Sequence, residues 1–157
     1  MKVTQHLWFE KDMEAAIRLY VSLIPGSVVE WIRPIPADTP SGPAGSVQIA
    51  SFTLGDQRYM AIEAGPLDPF NHSFSIMVEC ETQADLDRLW DTLKEGGSVE
   101  ACGWLRDRWG LSWQIAPARL GELMNDPDPD KARRVTEAML KMVKLDIAAL
   151  EAAAATS

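Results

Sequence analysis

The chain has 157 residues, of which 46% are apolar and 24% charged, and it carries six tryptophans. A chain of this length buries roughly 70% of its unfolded surface, as one domain or two small packed halves, and this composition excludes a disordered chain. The formal charge of −8 excludes binding driven by counterion release from phosphates or by anionic lipid, so neither nucleic acid nor a membrane is expected as a partner. The opening MKVTQHLWFEKDMEAA has no apolar signal core, and no run approaches the length of a membrane span, so a cytoplasmic protein is expected. Cys80 and Cys102 lack CxxC spacing and read as buried reduced thiols rather than a zinc site or a disulfide framework.

In chain order, a strand is expected from about Lys2 to Phe9. A helix follows from about Asp12 to Ile24, with Met13, Ala16, Tyr20 and Leu23 on one face, Asp12 as its cap and Pro25-Gly26 as its stop. Ser27 to Ile35 reads as a strand, and prolines 34, 36, 40 and 43 mark a loop. Ser46 to Leu54 and Arg58 to Ala64 form a hairpin about Gly55-Asp56, and Gly65 to Asn71 is a linker. A strand at His72 to Cys80 precedes a helix from about Thr82 to Glu95. Ser98 to Pro117 then gives a Trp-rich hairpin about the turn Asp107-Arg108-Trp109-Gly110, with Asp107 and Arg108 serving the turn. Past Pro117, Ala118 to Asn125 reads as a short helix closed by Asp126-Pro127-Asp128-Pro129. A long helix is expected from about Asp130, with Val135, Met139, Met142, Val143, Ile147 and Leu150 along one stripe.

The two halves match. RLYVSLIPGSVVE (Arg18 to Glu30) lies over RLWDTLKEGGSVE (Arg88 to Glu100) at an offset of 70. Further on the offset is 51, laying Leu54 on Leu105, Asp56 on Asp107 and Glu63 on Gln114. A duplicated strand–helix–strand–strand–strand unit accounts for this. The fold class is therefore α+β, with paired βαβββ modules at about residues 2–65 and 72–117 and a helical tail over 118–157. Each sheet would carry a helix on its convex face, and the concave faces would meet around a cleft. Strand alternation sends Phe74, Ile76 and Val78 toward the helix and Ser73, Ser75 and Met77 to the cleft, along with Ser112 and Gln114. Thr4, His6 and Trp8, and Tyr59, Ala61 and Glu63, are expected there too. This needs a one-residue difference before the first helix to bring Leu7 and Phe9 onto Ile76 and Val78.

These residues carry a resemblance. LWFE with EAAIRLY, FNHSFSIMVEC with TQADLDRLW, and CGWLRDRWGLSWQIAP resemble the PhnB-like branch (3-demethylubiquinone-9 3-methyltransferase-like) of the vicinal oxygen chelate superfamily, which includes glyoxalase I, bleomycin-resistance proteins and extradiol dioxygenases. The resemblance spans about Val3 to Ala152, and the tail RVTEAMLKMVKLDIAALEAA fits the same branch. It implies a single domain over 1–157 of the superfamily type, frequent dimerisation and a cleft that in some members holds a divalent metal.

Carried over position by position, the superfamily's metal ligands fall on Glu63 and Gln114 in the last strands, but on the hydroxyls of Thr4 and Ser73 in the first ones, with His6 or His72 one register step away. Hydroxyls are poor primary ligands, so no resident cofactor is expected; a divalent metal, if held, would take Glu63, Gln114 and His6. Glu63 on an enclosed face would have a raised pKa and serve as a general base. His72, next to the linker, reads as a surface or turn residue. No strand is followed by a Gly-rich turn opening a helix, so methyl transfer is not expected. Two functions stand. The first is a homodimer that binds or sequesters a small ligand in the cleft, lined by His6, Trp8, Tyr59, Glu63, Ser73, Ser75, Met77, Ser112 and Gln114. The alternative is a lyase, isomerase or dioxygenase-type enzyme using Glu63 as base, with or without a metal. The long helix is expected to form the dimer interface, burying its stripe of methionines and aliphatics against the partner.

Overall fold

Alternating apolar residues and Gly/Pro punctuation resolve, in a computed structural model, into two four-stranded sheets and five helices over the described residues 1–156; Ser157, the end of the expected tail, lies outside them. The chain divides into two compact units, Met1–Asp68 and a second beginning at Pro69.

The first unit runs β1 (Gln5–Phe9), α1 (Met13–Leu23), β2 (Val28–Pro34), β3 (Gln48–Leu54) and β4 (Gln57–Glu63), in sheet order β1-β4-β3-β2. β1 is parallel to β4, and the other pairings are antiparallel. The register puts Leu7, Phe9, Ala50, Phe52, Tyr59 and Ala61 on one face, all 6% exposed or less. The rings of Phe52 and Tyr59 stack there at 5.3 Å. This is the face under α1, whose buried residues Met13, Ala16, Ile17, Tyr20 and Leu23 form a stripe at helical spacing. Asp12 stands at the expected cap position but has φ 61° and makes no side-chain cap hydrogen bond. Glu63, at the end of β4, supplies the cap instead: its Oε2 accepts from the Met13 N–H at 2.9 Å, placing a carboxylate at the positive end of the helix.

The second unit repeats the plan with β5 (Ser75–Cys80), α2 (Gln83–Leu93), β6 (Ser98–Val99), β7 (Trp104–Arg106) and β8 (Ser112–Pro117), in order β5-β8-β7-β6. Ile76, Cys80, Leu105, Trp113 and Ile115 share the face covered by Leu86, Leu89, Trp90 and Leu93 of α2. Burying an aliphatic side chain of this size contributes about 1.5–3 kcal/mol. Thr82 caps α2 locally, its side chain accepting from the Asp85 N–H at 3.2 Å. The β7–β8 loop is built on Asp107, 3% exposed. Its carboxylate accepts from the N–H groups of Trp109 (2.9 Å) and Leu111 (3.1 Å) and from Trp113 Nε1 (3.0 Å).

The tail departs from the expected single long helix. It forms α3 (Leu120–Met124), α4 (Pro129–Leu140) and α5 (Ile147–Ala155), with a break between the last two. Two distant contacts impose the break. The carbonyls of Met142 and Val143 accept from the N–H groups of Cys102 (2.9 Å) and Gly103 (2.8 Å), and the side chain of Gln83 bonds both the Leu145 carbonyl and the Ile147 N–H. Asp146 then caps α5 through the Ala149 N–H at 2.8 Å. Of the expected stripe, Val135 and Leu150 are buried within the unit, Met139, Met142 and Ile147 are half-buried and Val143 is exposed, as is Leu140 beside it. Among the described residues no helix is long and apolar enough to cross a membrane.

Candidate functional site

The second unit's sheet face away from α2 carries most of the polar residues singled out from the sequence. Register places Ser75, Met77 and Glu79 of β5, Ser112, Gln114 and Ala116 of β8, and Trp104 and Arg106 of β7 together. Gln114 Nε2 donates to Ser75 Oγ at 3.0 Å. The Ser112 hydroxyl is fully buried and has no hydrogen-bond partner among the described residues. Such a group costs about 1–3 kcal/mol and is the kind retained where a ligand or water completes it. Ser73 lies ahead of β5, and its hydroxyl and N–H both donate to Asn71 Oδ1, making it a turn residue and not a strand residue.

At one end of this face lies a cavity of about 260 Å³. Met77, Trp104, Gln114 and Ala116 form its sheet wall, and Cys102 its rim. The tail adds Leu120, Gly121 and Met124 from α3 and Met139 from α4, leaving the cavity partly open. Sequence reasoning missed the tail's part in the site. Its only signal was the pair of methionines at 124 and 139, adaptable side chains on helices short enough to fold back. Near Trp104, whose ring lies 5.9 Å from that of His72, three side chains form a cluster. Arg106 Nη2 lies over the imidazole, 2.9 Å from His72 Nδ1 and 3.5 Å from Nε2, and Nε2 meets Glu100 Oε2 at 2.7 Å. Glu100 and Arg106 also pair directly at 3.6 Å. His72, expected at a surface or turn, is thus exposed but fixed.

The first unit does not assemble the expected set. His6 and Trp8 share a face with Met60 and Ile62, whereas Tyr59, Ala61 and Glu63 lie on the opposite, helix-covered face. Trp8 Nε1 donates to the Gly65 carbonyl at 3.1 Å. Burial raises the Tyr59 hydroxyl above its usual range. The offset of 51 holds for the arm before the turn, where Leu54 and Leu105 both face their helices, and fails after it. Two residues separate Leu54 from Gln57, but five separate Arg106 from Ser112. The difference is odd, so it flips which residues face the helix. Glu63 therefore corresponds to the helix-facing set of β8 and not to Gln114. With Glu63 and His6 on opposite faces of one sheet, the ligand set inferred for a divalent metal does not converge. Among the described residues no group of three or more His, Cys, Asp or Glu side chains is placed to hold a metal. Glu63 is likewise committed to the N-terminus of α1 and is not presented as a base beside His6 and Trp8.

Comparison with known proteins agrees with this architecture. The family model described as 3-demethylubiquinone-9 3-methyltransferase matches residues 1–116, stopping before α3. Among solved structures, the PhnB protein from Bacillus cereus is 30% identical, with a TM-score of 0.65 over 74% of this chain and 99% of that one. Protein PA1353 from Pseudomonas aeruginosa is 25% identical, with a TM-score of 0.60 over 74% of this chain and 98% of that one. No curated protein matches the chain. The two βαβββ modules and the match over residues 1–116 place the chain in the 3-demethylubiquinone-9 3-methyltransferase, or PhnB-like, family.

Proposed function

We propose that the protein binds or sequesters a small molecule, in the manner of the non-catalytic members of the vicinal oxygen chelate superfamily, using the face of its second unit that bears Met77, Trp104 and Gln114. The observation that carries this reading is the 260 Å³ cavity of that face, close to the lower limit of about 300 Å³ for small-molecule sites. Its walls are apolar apart from one convergent amide, the composition such sites share. The enzymatic alternative with Glu63 as base is less well supported, because that carboxylate caps α1. Methyl transfer fits the cavity poorly. A sulfonium methyl donor carries an amino and a carboxylate group, and no Asp, Glu, Lys, Arg or His lines the walls.

The test is to release bound molecules from the purified protein by denaturation and identify them by mass spectrometry. The same measurement on Met139→Trp, which fills the cavity, serves as control. A stoichiometric molecule recovered unchanged after incubation, and absent from the variant, supports binding. Chemical conversion of that molecule would replace the reading with the enzymatic one. The same reading takes the protein as a cytoplasmic homodimer, the dimer supported by the exposed apolar side chains of Leu140, the last residue of α4, and of Val143 beyond it. Light scattering should find a dimer that Leu140→Glu with Val143→Glu converts to monomer; a monomeric parent chain would reject it.

A further inference from the structure

Resting on the small-molecule reading above, we infer that the cavity takes an uncharged, flat aromatic molecule whose edge offers one hydrogen-bond donor beside one acceptor. Three features specify this class. The first is charge: the walls hold no carboxylate, ammonium, guanidinium or imidazole. The ionic groups on the same sheet face do not change this, because Glu100 and Arg106 are paired with each other. Glu79, exposed on β5, adds only a further negative charge against an anion. A charged ligand would lose part of its hydration there with no opposite charge to offset the cost.

The second feature is the surface that meets the ligand. Met77, Met124 and Met139, from three separate elements, line the cavity with the indole of Trp104. Thioethers and an aromatic ring favour a π-system, each sulfur–ring contact contributing through polarisability while the flexible side chains adjust to its outline. The third is the amide of Gln114. One of its N–H groups is given to Ser75 Oγ, which leaves the second N–H and the Oε1 lone pairs for a ligand. That pair matches a lactam or similar donor–acceptor edge, and Ser75 fixes the amide's orientation. α3 and α4, which contribute Met124 and Met139, lie past the family-matched residues 1–116, so part of the preference is supplied by this chain's tail.

The test uses the full chain labelled with ¹³C-methyl methionine and three bicyclic probes: 2-quinolinone (neutral lactam), naphthalene (no hydrogen-bonding edge) and 2-naphthoate (anionic). The expected result is that 2-quinolinone shifts the methyl signals of Met77, Met124 and Met139, binding at least tenfold tighter than 2-naphthoate and several-fold tighter than naphthalene. Gln114→Leu should bring 2-quinolinone down to the level of naphthalene. 2-Naphthoate binding as tightly as the lactam at these three methyls would overturn the neutral class while leaving the small-molecule reading intact. Equal binding of lactam and naphthalene to the parent chain would overturn the role of the amide, a comparison that does not depend on the variant folding. If no probe moves the three signals, the aromatic class is overturned, whereas the small-molecule reading stands or falls separately on the molecules released from the purified protein.

Discussion

The two units share one topology and solve the same two local problems differently. At the start of its helix, the second unit uses Thr82, a residue of the adjoining chain, whereas the first leaves Asp12 in a left-handed conformation and borrows Glu63 from fifty residues away. At the hairpin, the first unit turns in two residues through Gly55-Asp56, and the second needs five, wound around a buried carboxylate. A duplicated fold thus preserves the faces of its sheets while the means of holding them diverge. The borrowed cap removes a carboxylate from one module's open face, while the longer loop leaves Gln114 on the other's.

The largest difference to break is at the hairpins. Asp107→Ala strands two backbone donors and the Trp113 indole, and is expected to lower stability by about 3–5 kcal/mol. Asp56→Ala, at an exposed turn position, should stay within about 0.5 kcal/mol. Urea midpoints measure both, and similar values would mean the two loops are held alike. Next come the caps. Glu63→Ala and Thr82→Ala should each cost about 1–2 kcal/mol, and Glu63→Ala should leave ligand binding unchanged. Conversion of the ligand by the parent chain that is lost in a folded Glu63→Gln protein would restore the catalytic reading.

The fold was legible in the sequence because alternation and Gly/Pro stops are local signals, and 70 residues separate two 11-residue helices that do prove equivalent. The face assignments of Ser75, Met77, Ser112 and Gln114 followed from alternation alone, as did His6 and Trp8. Those of Tyr59 and Glu63 were carried across a turn whose length differs by an odd number, and no pattern within either strand reveals that. The broken tail helix escaped for another reason. Apolar spacing continues through Met142 and Val143, and the break is made by donors on Cys102 and Gly103, some forty positions earlier. The Asp146 cap was its one local sign.

A smaller effect separates the tail's anchorage from both caps. Asp87 accepts from Gln83 at 2.9 Å and pairs with Lys144 at 2.9 Å; the Gln83 amide first, and Lys144 after it, hold its carboxyl below the usual range. The hydrogen bond to Asp87 raises Lys144 in turn. The carboxylate's contribution is therefore complete above the unfolded aspartate value near ~3.9 and fades as pH falls through the lower folded value. That of the ammonium is complete below about 10.4 and fades as pH rises through the higher folded value. Hydrogen exchange at the Ile147 amide, bonded to Gln83, should accelerate at both extremes; a rate following only the chemical pH dependence would show that the pair does not hold the tail. The smallest difference lies between the thiols. Burial pushes Cys80 up to about 11, so an alkylating reagent near pH 8 should label the part-exposed Cys102 and spare Cys80. Peptide mass spectrometry after brief treatment checks this, and faster labelling of Cys80 would contradict the packing around it.

The pairing of Cys102 and Gly103 with Met142 and Val143 has a consequence for synthesis. Every strand and the helix of the first unit have been translated by residue 63, so that sheet can form while the rest of the chain is still being made. The second unit's loop acquires its backbone partners only some forty codons later, roughly 2–8 s at 5–20 residues per second. During that interval the methionine- and tryptophan-bearing face stands open on the nascent chain. The cavity on that face is therefore the last part of the fold to be completed.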